Sequence, residues 1–194
     1  MNAGVILGAA AILCSACIAQ AASQPPPGPP APAASQPPQG PPAPAPEMGQ
    51  LKDLVAKVSC TGMWHASNFG PEHPVKATFR GQSELGGFLI VARYDERRTK
   101  QNPGAGHAFI TFAYDADAKQ FVSLEYDSFG GHATLTSPGW DGDALTFTGT
   151  YMIAGQKLNY RDIYTRKTGG LDHRGEIQGP DGQWTPLDEE QCPP

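Results

Sequence analysis

FLIVARYDE (Phe88–Glu96), HAFITFAY (His107–Tyr114), QFVSLEYD (Gln120–Asp127), HATLTS (His132–Ser137), ALTFTGTYMI (Ala144–Ile153) and KLNYRDIYTRK (Lys157–Lys167) follow one another with almost no helical pattern between them. Each run has the length of an ordinary strand and mixes β-branched and aromatic residues with polar ones. The turns that separate runs hold Asp115-Ala116-Asp117, Gly130-Gly131 and Asp141-Gly142-Asp143, the chemistry that hairpins need. Working outward, Cys60–Asn68 and Val75–Leu85 precede this block, and Gly86-Gly87 leads into it. Leu171–Gln178 and Gln183–Leu187 follow it, set off by Gly169-Gly170 and Asp181-Gly182. Consecutive strands with short turns predict an all-β fold, an antiparallel up-and-down β-barrel of about 8–10 strands. Leu51, Leu54, Val55 and Val58 lie at helical spacing opposite Lys52, Asp53 and Lys57, so Glu47–Val58 reads as a short N-terminal amphipathic helix that plugs or flanks one barrel end.

The chain ahead of residue 47 is of a different kind. Ala3–Ala22 is uncharged and apolar, and Ala19-Gln20-Ala21 has the small-x-small form of a cleavage site, so residues 1–21 read as a secretory signal peptide. No Lys or Arg precedes the apolar run, and an uncleaved anchor is a second reading. A third is a lipid anchor at Cys17, which follows Cys14-Ser15-Ala16. Residues 22–46 are about half proline, with Ala, Gln, Gly and Ser making up the rest, and cannot bury a core. At full extension such a linker reaches on the order of 70 Å, and a spacer suits an N-terminus that is tethered to a membrane. The expected location is periplasmic or secreted. Beyond the leader two cysteines remain, Cys60 and Cys192, an even pair that reads as a disulfide in an oxidising compartment, the alternative being two separate thiols. Residues 47–194 suit one domain, carry every charged side chain and are mildly acidic, with a formal net charge of −5. Only Arg97-Arg98 with Lys100 forms a basic group, which argues against nucleic acid as a partner.

Gly62-Met63-Trp64 on the first strand resembles the G-x-W signature of calycin barrels, the lipocalins and their relatives. Tyr126-Asp127-Ser128-Phe129-Gly130, followed by Trp140-Asp141-Gly142-Asp143-Ala144-Leu145-Thr146-Phe147-Thr148-Gly149, is similar to the bacterial domain-of-unknown-function family 1579, a lipocalin-like group. The likeness covers most of Gly62–Arg166; the proline-rich spacer and the C-terminal cysteine depart from that family's outline. It implies a calycin-like barrel with Trp64 packed across the floor, and no established activity.

The interior is therefore the functional question. On the strand from Lys157, one face carries Leu158, Tyr160, Asp162, Tyr164 and Arg166, and the aromatic face is the better interior. An inward Asp162 needs a partner: Arg, Tyr or a polar ligand. Trp64, Arg93, Tyr126, Tyr160, Asp162 and Tyr164 are the candidate ligand-binding residues, with Asp162 and Arg93 anchoring the polar head of a small amphiphilic molecule. A filled barrel acting as a structural or interaction module is the competing reading. His107, Asp127 and His132 fall at one barrel end and form a candidate metal set, although the outer two strands lie roughly 10 Å apart. His173 sits on a late strand, where the nitrobindin-like haem barrels that resemble this fold ligate iron. No nucleophile elbow or oxyanion motif supports an enzyme, and the expectation is a binding protein with no cofactor.

Overall fold

The computed structural model describes residue 40 and residues 42–194; the signal-peptide and Cys17 readings and nearly all of the linker lie outside these residues. A 3₁₀ helix, Pro46–Leu54, leads into β1 (Lys57–Trp64), β2 (His73–Glu84), a 3₁₀ turn at Leu85–Gly87, β3 (Leu89–Glu96) and β4 (His107–Asp115). The chain continues through β5 (Gln120–Asp127), β6 (His132–Ser137), β7 (Trp140–Asp141), β8 (Ala144–Ile153), β9 (Gln156–Lys167), β10 (Gly170–Gln178) and β11 (Trp184–Cys192).

Every pairing is antiparallel. Each long strand pairs with its neighbours in sequence, β6 pairs with β8 past the two-residue β7, and β1 pairs with β11. The result is a closed ten-strand up-and-down barrel, and closure leaves no long sheet edge to be managed. Turn chemistry fixes the hairpins as the sequence implies: Gly142, between β7 and β8, has φ 59°, a conformation glycine adopts without strain.

Three boundaries differ from expectation. The helix is 3₁₀ rather than α, and its buried residues are Met48, Leu51 and Leu54. Their spacing of three matches the three residues per turn of that helix, whereas Val55 is 44 % exposed and Val58 has joined β1. The first strand starts at Lys57 and stops at Trp64, because the whole of that span pairs with β2 from Arg80 to His73. The last strand runs on to Cys192, beyond Leu187, because β10 and β1 both offer it partners there.

The helix seals one end, the base. Leu51 and Leu54 are fully buried. Gly81 N donates to Ala56 O at 2.8 Å, and β2 passes so close to the helix that a Cβ on Gly81 would fall 1.8 Å from the Leu54 carbonyl oxygen. On the opposite side Trp140 Nε1 donates to Gln50 O at 2.9 Å, and the Arg166 guanidinium lies 3.6 Å over the Trp140 ring. Arg166 Nε also donates to Asp53 Oδ2 at 2.7 Å. Above the base, Phe112, Phe121, Phe147, Leu135 and Leu145 are buried. Phe112 meets Phe147 at 5.4 Å between ring centroids and meets Tyr164 edge-on at 5.9 Å. These large side chains come from β4, β5, β6, β8 and β9 and fill one side of the barrel, while the smaller Val75, Ala77, Ile90 and Ala92 extend the core onto β2 and β3. Across the β1–β11 seam a disulfide joins Cys60 to Cys192, with Cα atoms 4.2 Å apart.

Candidate functional site

Strand parity decides what points inward. With period two, the registers set Cys60, Gly62 and Trp64 of β1, Tyr94 and Glu96 of β3, and Ser123, Glu125 and Asp127 of β5 on the inner face. Tyr151 of β8, Tyr160, Asp162 and Tyr164 of β9, His173 of β10, and Asp188, Glu190 and Cys192 of β11 join them. All of these except Gly62 and Ser123 border a cavity of about 1190 Å³. It runs from Lys52, Asp53 and Arg166 beside the base to the opposite mouth, along β1, β9, β10 and β11, and in its upper part is bordered by β3, β4, β5 and β8 as well. There Trp64 stacks on His73 with ring centroids 6.1 Å apart. Phe129, 61 % exposed, stands at the rim. The β3–β4 loop is pinned beside it: Asn102 Nδ2 and Gly106 N both donate to Glu96 Oε2, at 2.8 and 2.6 Å.

The polar part of the cavity centres on His173. Its Nε2 is bonded to Asp162 Oδ1, and its Nδ1 lies 3.1 Å from Asp188 Oδ2 and 4.0 Å from Glu190 Oε2. The first is not aligned for a hydrogen bond and the second is too far for one, so Nδ1 is buried without a partner. Asp162, 2 % exposed, also accepts from Tyr164 Oη at 2.7 Å and Tyr160 Oη at 3.5 Å. Tyr94 Oη donates to Glu190, and Ser123 Oγ donates to Glu125 Oε1 at 3.3 Å.

Four carboxylates around one imidazole cannot all ionise alike. Burial pushes Asp162 up, but the charge and hydrogen bond of His173 overcome it and hold Asp162 below its usual range. Burial disfavours the His173 cation, yet Asp162 and then Asp188 hold it protonated well above the ordinary histidine value. Burial, opposed by His173 and reinforced by Asp188, pushes Glu190 up to about 7. Glu125 is held well above the usual carboxylate range by burial first and the charge of Asp162 second. Desolvation also raises the phenols of Tyr94, Tyr160 and Tyr164, which stay neutral donors.

A pH dependence follows from Glu125. A folded pKa raised above the ordinary 4.5 means stability that is complete below that value and is lost as pH rises through the folded one. Glutamine copies the protonated carboxyl and does not titrate. Glu125→Gln is therefore expected to gain stability over the parent progressively above about pH 5, and to show no such gain in acid. Urea unfolding of both proteins across that range checks it, and a difference independent of pH would overturn the assignment.

The placement of the sequence candidates is mixed. Tyr160, Asp162 and Tyr164 face inward and border the cavity, and Asp162 meets tyrosine, as expected, together with His173 rather than an arginine. Arg93 is on the outer face, with its guanidinium 5.2 Å over the Phe109 ring. The inner face of β3 is instead the one with Ile90, Ala92 and Tyr94. Tyr126 is 57 % exposed, stacks on His132 outside the barrel and reaches the cavity at its rim only. Trp64 borders the cavity, but at the mouth end; the base is closed by Trp140, Arg166 and the 3₁₀ helix.

His107, Asp127 and His132 share an end but do not converge. His107 bonds Asp95 at 3.0 Å on the outer face, and His132 lies on that face too. Asp127 points inward, where it accepts from Phe129 N at 2.7 Å and Tyr151 Oη at 2.5 Å. His173, read as a haem candidate, has both ring nitrogens turned to carboxylates. Glu125, Asp188, Glu190, Tyr94 and Tyr151 belong to the cavity and escaped the sequence reading. Among the described residues His173, Asp188 and Glu190 offer ligand atoms within 4.8 Å of one another, and Cys60 and Cys192 do the same with Glu190, but as disulfide sulfurs.

The disulfide fits an oxidising, non-cytoplasmic compartment, and no helix among the described residues is long and apolar enough to cross a membrane. No protein-family model matches the chain, and a comparison with curated proteins finds no match. The likeness to family 1579 thus receives no support beyond the calycin-like form of the barrel.

Proposed function

We propose that this is an exported, calycin-like barrel that binds or carries a small amphiphilic molecule. The observation that carries the reading is the cavity of about 1190 Å³, room for a lipid- or drug-sized guest. Its wall is mainly apolar and aromatic, and its polar groups are gathered around His173. In this reading Trp64, Tyr151 and Tyr160 contact the body of the guest, and the carboxylates and phenols near His173 receive its polar head. The apolar leader, its A-x-A site and the disulfide support a periplasmic or secreted protein, with tethering through Cys17 or an uncleaved leader as the variant. Kinship with family 1579 rests on the quoted motifs.

The test is to denature protein purified from its own compartment and examine what it releases by mass spectrometry. A stoichiometric amphiphile is expected, and the stripped barrel should take up a hydrophobic dye. Trp64→Ala should weaken that uptake, while Arg93→Ala, on the outer face, should leave it unchanged. A barrel that releases nothing and ignores a panel of such dyes would end this reading. It would favour an interaction module working through the outer surface, where Tyr126 and Leu124 are exposed.

A further inference from the structure

We infer that His173, Asp188 and Glu190 form a site for one divalent metal ion that takes nitrogen and oxygen ligands, Zn²⁺ being the fitting example. The argument starts from the ring. The bond from Nε2 to Asp162 fixes the imidazole plane and places a proton on Nε2. Without metal the surrounding carboxylates hold the ring protonated, and a metal ion takes the Nδ1 lone pair by displacing that proton. That lone pair is buried and faces Asp188 Oδ2 at 3.1 Å and Glu190 Oε2 at 4.0 Å. Three acceptors turned towards one point repel one another unless positive charge sits among them. A proton on Nδ1 serves this poorly, because it makes no aligned bond to Asp188 and Glu190 stands too far off for one.

A cation shared by all three serves it well. Ligand atoms about 2.1 Å from a tetrahedral Zn²⁺ stand about 3.4 Å apart, and the two distances here fall on either side of that spacing. Two carboxylates and a neutral imidazole balance the ion's charge. The outer groups are also those that metal-bound residues need. Asp162 orients the histidine and is itself held by Tyr164, and Tyr94 holds Glu190. No thiolate competes, since Cys60 and Cys192 are joined to each other. Three protein ligands leave a coordination position, and all three residues border the cavity. The inference concerns the cluster alone and stands whether or not an amphiphile binds.

The test uses the full, disulfide-bonded chain, freed of metal by chelator and dialysed. Titration with ZnCl₂ by calorimetry near neutral pH is expected to show one saturable equivalent. His173→Ala should abolish it, and Asp188→Asn and Glu190→Gln should each weaken it at least about tenfold. Asp162→Asn, which acts through the ring's orientation, should weaken it about 10–100-fold. His107→Ala and His132→Ala, on the outer face, should bind as the parent does. Should His173→Ala fail to fold, nitrogen NMR of the parent gives the same answer, since zinc must move the Nδ1 resonance of His173 and leave Nε2 protonated. Absence of a saturable equivalent, or uptake unaltered by both Asp188→Asn and Glu190→Gln, would overturn the site.

Discussion

Replacing Asp162 by alanine is expected to destabilise the barrel by about 3–5 kcal/mol, the usual result of removing one partner from a buried ion pair. Asp162 is 2 % exposed and receives the His173 ring and the hydroxyls of Tyr160 and Tyr164. The variant leaves a protonated imidazole and two phenols without their acceptor, in a place where water replaces it incompletely. Because the Asp162 pKa is depressed in the fold, its contribution is present above the unfolded carboxylate value and is lost as pH falls through the folded one. The deficit should therefore be largest near neutral pH and shrink in acid. Chemical denaturation at several pH values measures it; a loss under about 1 kcal/mol would mean that the cluster is not paired as described.

The second large effect concerns the seam. The β1–β11 ladder runs only from Thr61–Gln191 to Trp64–Asp188, shorter than the β1–β2 ladder, which spans the whole of β1. Cys60 and Cys192 sit one step beyond it, so the disulfide extends a short seam. The two cysteines are 132 residues apart in sequence, and closing a loop of that length restrains the unfolded chain by up to about 5 kcal/mol in the loop-entropy model, with about 2–4 typical. The double variant Cys60→Ala, Cys192→Ala is expected to lose an amount in that range in urea, and the parent should match it once reduced. Equal stability of the oxidised and reduced parent would remove the disulfide from the account of the fold.

Much of the fold could be read from the chain, because strand length, turn chemistry and hairpin order are local properties. The ladder from β2 to β6 follows the runs and turns in the sequence almost residue for residue. The interior was harder to read. On β9 the alternation of Tyr160, Asp162 and Tyr164 against Arg161 and Ile163 named the inner face. On β3 both faces held an aromatic or a charge, and the choice turned on packing against Phe79 and Ala108, which only the register supplies. Asp188 and Glu190 are hard to read for a simpler reason. The pattern ends the last strand at Leu187, since Asp188-Glu189-Glu190-Gln191 is a polar run with no apolar alternation. A signal was nonetheless present: if Cys192 crosses to β1 it marks a face, and period two carries Glu190 and Asp188 onto the same one. The carboxylates around His173 are illegible in the sequence, because its neighbours across the strands are distant along the chain.

The lopsided packing of the interior has a mechanical result. The stretches packed on Phe112, Phe121 and Phe147 should exchange their amide hydrogens slowest, and those of β10 and β11 around His173 and Glu190, which border the void, fastest. Rigidity then varies around the circumference, and the compliant arc holds His173, Asp188, Glu190 and the sulfur bridge. Whatever lodges there tightens the part of the cylinder that yields most, so occupancy should be legible as slowed exchange along β10 and β11 with little change on the far side.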